Sequence, residues 1–447
     1  MEASSSMASK GRWGGFPTVG VAWQLGDEKF VKDLKHVSTA KVRLSWGQSG
    51  NTPTGASPYV GTFKPIVPGY GEMVAIQPYK IQLNNLKWET LTQTNLGLDL
   101  GFFDNTLNMS VDLYKKLTTD MLQKDVDIPT STGFSTVAWY NSGKMSNKGW
   151  EFRLDYDILR SKDWGLQLNF NIAQNKNEVL EMPENKTATN YSLKNGAYAY
   201  KLVEGDPLGS FYGYKYLGVY QNTQETYARD NNGQLVNDID GKPVVIRNND
   251  LKVYPGDAKY MDVNGDGVIN QYDIVYIGNC NPTVTGGFGF NLRYKSWGLV
   301  ANFHGRAGQK AINQARINME NMYGKNNQST AVLKRWRHEG DDTEIPRALY
   351  ERGFNYLGSD RFVEDASFLR LKTLTLKYTL PKSLSGKVGV QKAEFYFTGY
   401  DLITITKYTG QDPEISTSRI DNMYEVALDK ASTPKPLRFA FGLNLKF

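Results

Sequence analysis

Residues 438–447 read RFAFGLNLKF, and from Phe439 onward every second position is apolar: Phe439, Phe441, Leu443, Leu445 and Phe447. In an extended chain alternate side chains point to opposite faces, so these five line one face of a strand. Chain ends are usually loose and polar. A regular strand that stops on an aromatic calls for a partner strand and an apolar medium against one side.

The same period runs upstream. In TLNMSVDL (106–113) Leu107, Met109, Val111 and Leu113 face one way, and Asn108, Ser110 and Asp112 the other. In WEFRLDYDI (150–158) Trp150, Phe152, Leu154, Tyr156 and Ile158 oppose Glu151, Arg153, Asp155 and Asp157. WGLQLNFNI (164–172) repeats the pattern, and VRLSW (42–46), NLGLDLGF (95–102), FGFNLRY (288–294) and WGLVANF (297–303) follow it more weakly. FLRLKTLTLKYTL (368–380) changes step near Lys372, from Leu369 and Leu371 to Leu374, Leu376, Tyr378 and Leu380, which predicts a bulge. Alternation alone also suits a soluble sandwich with one face in its core. The polar faces, with Glu151, Arg153, Asp155, Asp157, Gln167, Asn169 and Asn171, then either solvate a sandwich or line a wet lumen.

The connections choose between these. Asp104-Asn105, a few residues at 159–163 and Lys295-Ser296 join neighbouring strands, whereas long links cover 117–146, 175–282, 308–360 and 407–435. In an up-and-down sheet, short and long connections taking turns place every long loop on one rim, as in outer-membrane barrels with extracellular loops and periplasmic turns. The strand windows match the length of a tilted membrane strand, and Trp46, Trp150, Trp164, Trp297 and Tyr378 are expected near strand ends as an aromatic girdle. The fold expected is all-β: an antiparallel transmembrane β-barrel contributing about eleven strands. An odd count, and no apolar h-region in MEASSSMASKGRWGG, lead to the expectation that part of the barrel and an export signal lie outside this chain. The final strand, Phe439 to Phe447, is expected to serve as the outer-membrane assembly signal.

Composition is consistent with strands and turns: the chain has 27 Tyr, 20 Phe, 9 Trp and 43 Gly in 447 residues. The balance of 52 Lys+Arg against 46 Asp+Glu is mild and forms no basic run, which argues against a nucleic-acid partner. Cys280 is the only thiol, so no intrachain disulfide forms, and His36, His304 and His338 are scattered. No apolar run is long enough for a membrane helix.

One motif points to a metal. In DVNGDGVINQYD, Asp262 to Asp273, oxygen-bearing side chains fall at loop positions 1, 3, 5 and 9 (Asp262, Asn264, Asp266, Asn270), Gly267 permits the sharp turn and Val268 offers a carbonyl. Position 12 is Asp273 rather than a bidentate Glu, so the expectation is a structural Ca²⁺ of modest affinity. The carboxylates Asp341-Asp342, and Asp412 with Glu414, read as surface loops, and no nucleophile, phosphate-loop or zinc-protease motif appears, so no catalytic residue is expected. The aromatic stretch 195–221 reads as loop packing before sugar stacking, and KAINQARINMENMYG (310–324) as a short helix inside a loop.

GRWGGFPTVGVAWQLGDEKF (11–30), KVRLSWGQSGN (41–51), NKGWEFRLDYDI (147–158), GDAKYMDVNGDGVINQYDIVYIGNCNP (256–282), FVEDASFLRLKTLTLKYTLP (362–381) and TKYTGQDPEI (406–415) resemble the C-terminal barrel portion of the SusC/RagA-type TonB-linked outer-membrane transporters. The resemblance implies a plugged barrel of about 22 strands in the bacterial outer membrane, in contact with its lipid. It implies import of an oligosaccharide or peptide substrate beneath a SusD-like lipoprotein, energised by the TonB complex, without catalysis. No plug or TonB box is found in these residues. The alternative from another class is a secreted, soluble, β-rich calcium-binding module for carbohydrate binding or adhesion. Substrate-binding residues are not identified by either reading.

Overall fold

Eleven antiparallel strands form one sheet in which sequence neighbours are also spatial neighbours. The computed structural model describes residues 1–447 except 56, 68, 70–72, 183–193, 200, 231, 416–426 and 432. In chain order the strands are β1 (Thr18–Trp23), β2 (Val37–Asn51), β3 (Glu89–Phe102), β4 (Leu107–Thr119), β5 (Lys144–Arg160), β6 (Trp164–Glu181), β7 (Val284–Tyr294), β8 (Trp297–Ala307), β9 (Phe368–Thr379), β10 (Lys392–Thr406) and β11 (Arg438–Lys446). In this sheet β1 and β11 are the edges.

Local chemistry sets the short rim. Asp104 and Asn105 take φ of 56° and 57°, the left-handed pair that a tight hairpin turn demands, and Lys295 turns the β7–β8 hairpin with φ of 50°. The long connections, β2–β3, β4–β5, β6–β7, β8–β9 and β10–β11, all leave from the other rim. The expected alternation of connections is therefore present.

Register carries the apolar pattern across the sheet. Leu154 pairs with Phe170, Phe170 with Phe288, Phe288 with Phe303, Phe303 with Leu371, and Leu371 with Ile403. Phe288 and Phe303 stack at 4.4 Å, and Phe397 of β10 stacks on Phe439 of β11 at 5.6 Å. Among the described residues no second layer buries this face: Leu107, Val111, Trp150 and Leu154 are half-buried, and Leu113, Phe170, Ile405 and Phe441 are exposed. Burying one such side chain is worth about 1.5–3 kcal/mol. A sheet that leaves a whole row of them uncovered is built for lipid, and the sandwich reading does not hold.

The predicted bulge lies where the step changes. Pairing of β9 with β8 and with β10 shifts register between Leu371 and Thr373, and Asp401 on the facing strand takes φ of 54°. The aromatic girdle needs a correction. Trp164 meets Tyr294 at 4.3 Å and Trp297 meets Tyr378 at 4.7 Å along the short-turn rim. Trp46 and Trp150, however, sit well inside β2 and β5 because those strands continue past the apolar band. Trp150 lies opposite Gln174, ten residues along β6 from Trp164. That is about 33 Å along the strand at about 3.3 Å per residue, or about 25 Å of membrane at a tilt of about 40°, so the two tryptophans stand at opposite interfaces.

The buried core sits among the loops. Phe211, Ile312, Ile317 and Phe362 anchor one cluster, and Tyr214, Tyr260, Ile269 and Leu357 a second. Three expectations change here. The excursion read as starting at 175 begins after Glu181, where β6 ends, and its residues 183–193 lie outside the described residues. The link between β2 and β3, about forty residues in which the sequence shows no clear pattern, contains a hairpin, Thr62–Ile66 with Ala75–Lys80. The helix expected over 310–324 is shorter: α1 covers Gln314–Glu320, while Lys310–Asn313 is a strand paired with Val363–Asp365, a long-range partner that outweighs local helix preference.

Candidate functional site

The polar face of the sheet carries a continuous set of charges. Arg43 on β2 donates to Asp99 on β3 at 2.7 and 2.9 Å and to Asp112 on β4 at 3.1 Å, and Asn95 adds a hydrogen bond to Asp112 at 2.9 Å. Gly97 lies beneath the guanidinium, where a Cβ would sit 2.5 Å from the Arg43 Cζ. Glu151, Arg153, Asp155 and Asp157 of β5 face the same way, opposite Ala173, Asn171, Asn169 and Gln167 of β6. Hydrogen-bonded carboxylates and amides in this density suit a water-filled bore.

Where the wall meets the loops, Arg370 of β9 is 3% exposed. Its Nε donates to Thr404 Oγ1 at 2.9 Å, Nη2 to Asp412 at 2.6 Å and Nη1 to Glu414 at 2.9 Å. Lys372, at the bulge, pairs with Asp401 at 2.9 Å, and Lys435 closes on Glu414. Asp412 and Glu414 are thus structural clasps rather than the surface loop expected. Burial opposes ionisation of Asp412, but the Glu414 N–H and the Arg370 guanidinium outweigh it and hold its carboxyl below the ordinary range. Glu414 is likewise held low against burial, by Lys435, Lys372 and Arg370.

The 262–273 loop closes on its own backbone. Asp262 accepts from the N–H groups of Gly265 and Gly267 at 2.8 and 2.7 Å, Asp266 from Val268 at 2.8 Å, and Asn270 from Tyr272 at 2.8 Å. Asn264 Oδ1 accepts from Asp266 N–H at 3.2 Å. Asp273, fully buried, accepts from Val263 and Asn270 at 2.7 and 2.8 Å. Burial pushes its carboxyl up, those two N–H groups pull it back, and Asp262 and Asp266 add to the rise. Among the described residues no three His, Cys, Asp or Glu side chains are placed to hold a metal ion. At the other end of the chain, Phe439, Phe441, Leu443 and Leu445 stand exposed along β11, with Phe447 just beyond it.

An apolar outer face, a charged inner face and a folded cap on one rim describe a membrane wall, and the comparisons say which one. Residues 3–245 match the family described as TonB dependent receptor-like, beta-barrel. The chain belongs to this family. It is 31% identical to TonB-dependent receptor P3 of Formosa agariphila over 457 residues, which takes in 100% of this chain and 43% of that protein. It is 27% identical to TonB-dependent receptor SusC of Bacteroides thetaiotaomicron over 467 residues, 100% of this chain and 41% of that one. The solved structure titled as the RagAB peptide transporter superposes with a TM-score of 0.76 at 26% identity, covering 100% of this chain and 45% of its own. The chain spans less than half the length of these relatives.

This TonB-dependent receptor wall is of the SusC/RagA type and resides in the outer membrane, with long loops outside and short turns on the periplasmic rim. Its relatives are receptors and transporters, not enzymes. Two arginines, Arg43 and Arg370, organise these contacts without a motif in the sequence that marks them. Their only signal is a charge on the polar side of an alternating strand.

Proposed function

We propose that the chain supplies wall and extracellular loops to a TonB-dependent outer-membrane importer of glycans, with peptides as the competing cargo. A SusD-like lipoprotein covers the loop rim, and the TonB complex provides the energy. The carrying observation is the eleven-stranded meander with its apolar face outward, its charged face inward and its long loops folded into one cap. The names of the similar SusC and of the similar RagAB peptide transporter support the reading. A soluble carbohydrate-binding or adhesion module would leave Ile405, Phe439 and Phe441 in water. The β11 pattern, Phe439 to Phe447, acts in this reading as the assembly signal.

The loop formed by Asp262, Asn264, Asp266, Val268, Asn270 and Asp273 takes a structural Ca²⁺ in the same proposal. The spacing supports it, as does the repulsion that Asp262 and Asp266 impose on Asp273, which a cation would relieve. Since the N–H groups already close the loop, the ion stiffens it rather than forms it.

Deletion of the gene, followed by uptake of a labelled panel of oligosaccharides and peptides, tests the import reading. Loss of one oligosaccharide class is expected. Loss of peptides alone would move the substrate to peptides, and unchanged uptake of the whole panel would remove the importer reading.

A further inference from the structure

A cavity of about 390 Å³ opens in the loop cap between residues 248–257, from the β6–β7 excursion, and 347–355, from the β8–β9 link. Nothing in the wall's chemistry uses it. We propose that it is a recognition site for an anionic sugar, one carrying a carboxylate or a sulfate.

The floor is built from paired groups. Arg347 clasps Asp257 through two bonds, Nε to Oδ1 at 2.7 Å and Nη2 to Oδ2 at 3.1 Å, and the Tyr254 N–H donates to the same carboxylate at 2.9 Å. Asn355 donates to the Arg347 carbonyl at 3.0 Å. Asp257 and Asn355 are 6% and 8% exposed. Among the described residues Asp257 is the only carboxylate in the lining, and its charge is matched by Arg347.

Three features of the lining remain unmatched. Lys252 and Arg352 are exposed, and their side chains make no ion pair or hydrogen bond among the described residues, so the cavity presents two free positive charges. Asn248 is 5% exposed, lines the cavity, and its buried Oδ1 has no hydrogen-bond partner among the described residues. Tyr254 shows 55% of its surface, with the Arg347 guanidinium 5.6 Å from its ring centre. That ring is an aromatic platform held in place.

The complementary ligand brings a negative charge for Lys252 and Arg352 and a face of C–H groups for the exposed ring of Tyr254. A uronate or a sulfated sugar carries both on one ring. Neutral sugars leave the two cations unmet. An acidic peptide meets the charge but brings no flat C–H face to the tyrosine. The site depends on the import reading only for its purpose, capture ahead of passage; binding stands without it.

The test is direct binding to the purified full chain in detergent, by calorimetry. The probes are oligogalacturonate, a sulfated oligosaccharide, a neutral glucan oligomer and an acidic peptide of matched charge. One or both charged sugars bind, more weakly as salt rises. Lys252→Gln with Arg352→Gln lowers that affinity about tenfold or more and flattens the salt dependence. Tyr254→Ala, at an exposed ring, weakens binding while keeping the salt slope. Equal binding of the neutral oligomer, binding of the acidic peptide alone, or an unchanged double variant would each overturn the proposal. Loss of binding overturns the site whatever cells import; intact binding with no uptake defect on gene deletion overturns the importer reading and leaves the site standing.

Discussion

Arg370 and Asp412 meet at 2.6 Å across a separation of 42 residues, a strand of the wall joined to an extracellular loop. With Glu414 on the same guanidinium, the contact fixes where the β10–β11 loop leaves the sheet. Removing the arginine takes the guanidinium from Asp412 and leaves Glu414 to Lys372 and Lys435. Arg370→Leu is expected to destabilise the protein by about 1–3 kcal/mol and to release residues 407–415 to fast amide exchange; unchanged exchange there would show that the clasp is idle.

The same clasp sets a pH response. Asp412 and Glu414 both have folded pKa values below their unfolded ones, so their contribution is fully present above the ordinary carboxylate pKa of about 4 and is lost as pH falls through the lowered values. Protection of 407–415 should hold steady from neutral pH down to about 5 and fall away below about 4. A midpoint near 6 to 7 would assign the transition to other groups.

Gly358 tests the loop cap. An added Cβ there would lie 1.9 Å from the Ala197 carbonyl oxygen, a backbone atom that has no rotamer to move. Gly358→Ala should cost about 1–3 kcal/mol and loosen the core around Tyr214 and Leu357, seen as raised exchange in both segments. Full stability would mean that the Gly358 and Ala197 segments do not pack against each other.

Calcium has its own outcome. Added Ca²⁺ should slow proteolysis within 262–273, and Asp262→Asn with Asp266→Asn should abolish that protection without changing the wall. If the ion leaves cleavage unchanged, the loop's own N–H groups are sufficient and the site is only a turn.

Much of the wall is legible in the sequence because a strand between lipid and water must alternate, and the turn residues Asp104, Asn105 and Lys295 mark its hairpins locally. Even the slip at Lys372 shows, since a bulge moves the apolar set by one. The cap is not legible in that way. Phe211, Ile312 and Phe362 meet from three distant segments with no common period, and Lys310–Asn313 reads as helix until Val363–Asp365 pairs with it. The pairing of Asp412 and Glu414 with Arg370 is hidden for the same reason: nothing within either segment records a partner more than forty residues away. Likewise the cavity at Tyr254 and Arg352 exists only once two loops are folded together.

The claim beneath all of this is that the two faces of one strand meet two solvents. Single spin labels at Phe170 and Asn169 of β6, in the protein assembled in native outer membranes with Cys280 replaced, measure it directly. Position 170 should relax with oxygen dissolved in lipid and position 169 with a water-soluble nickel chelate. The same accessibility to the aqueous reagent at both positions would contradict the membrane wall.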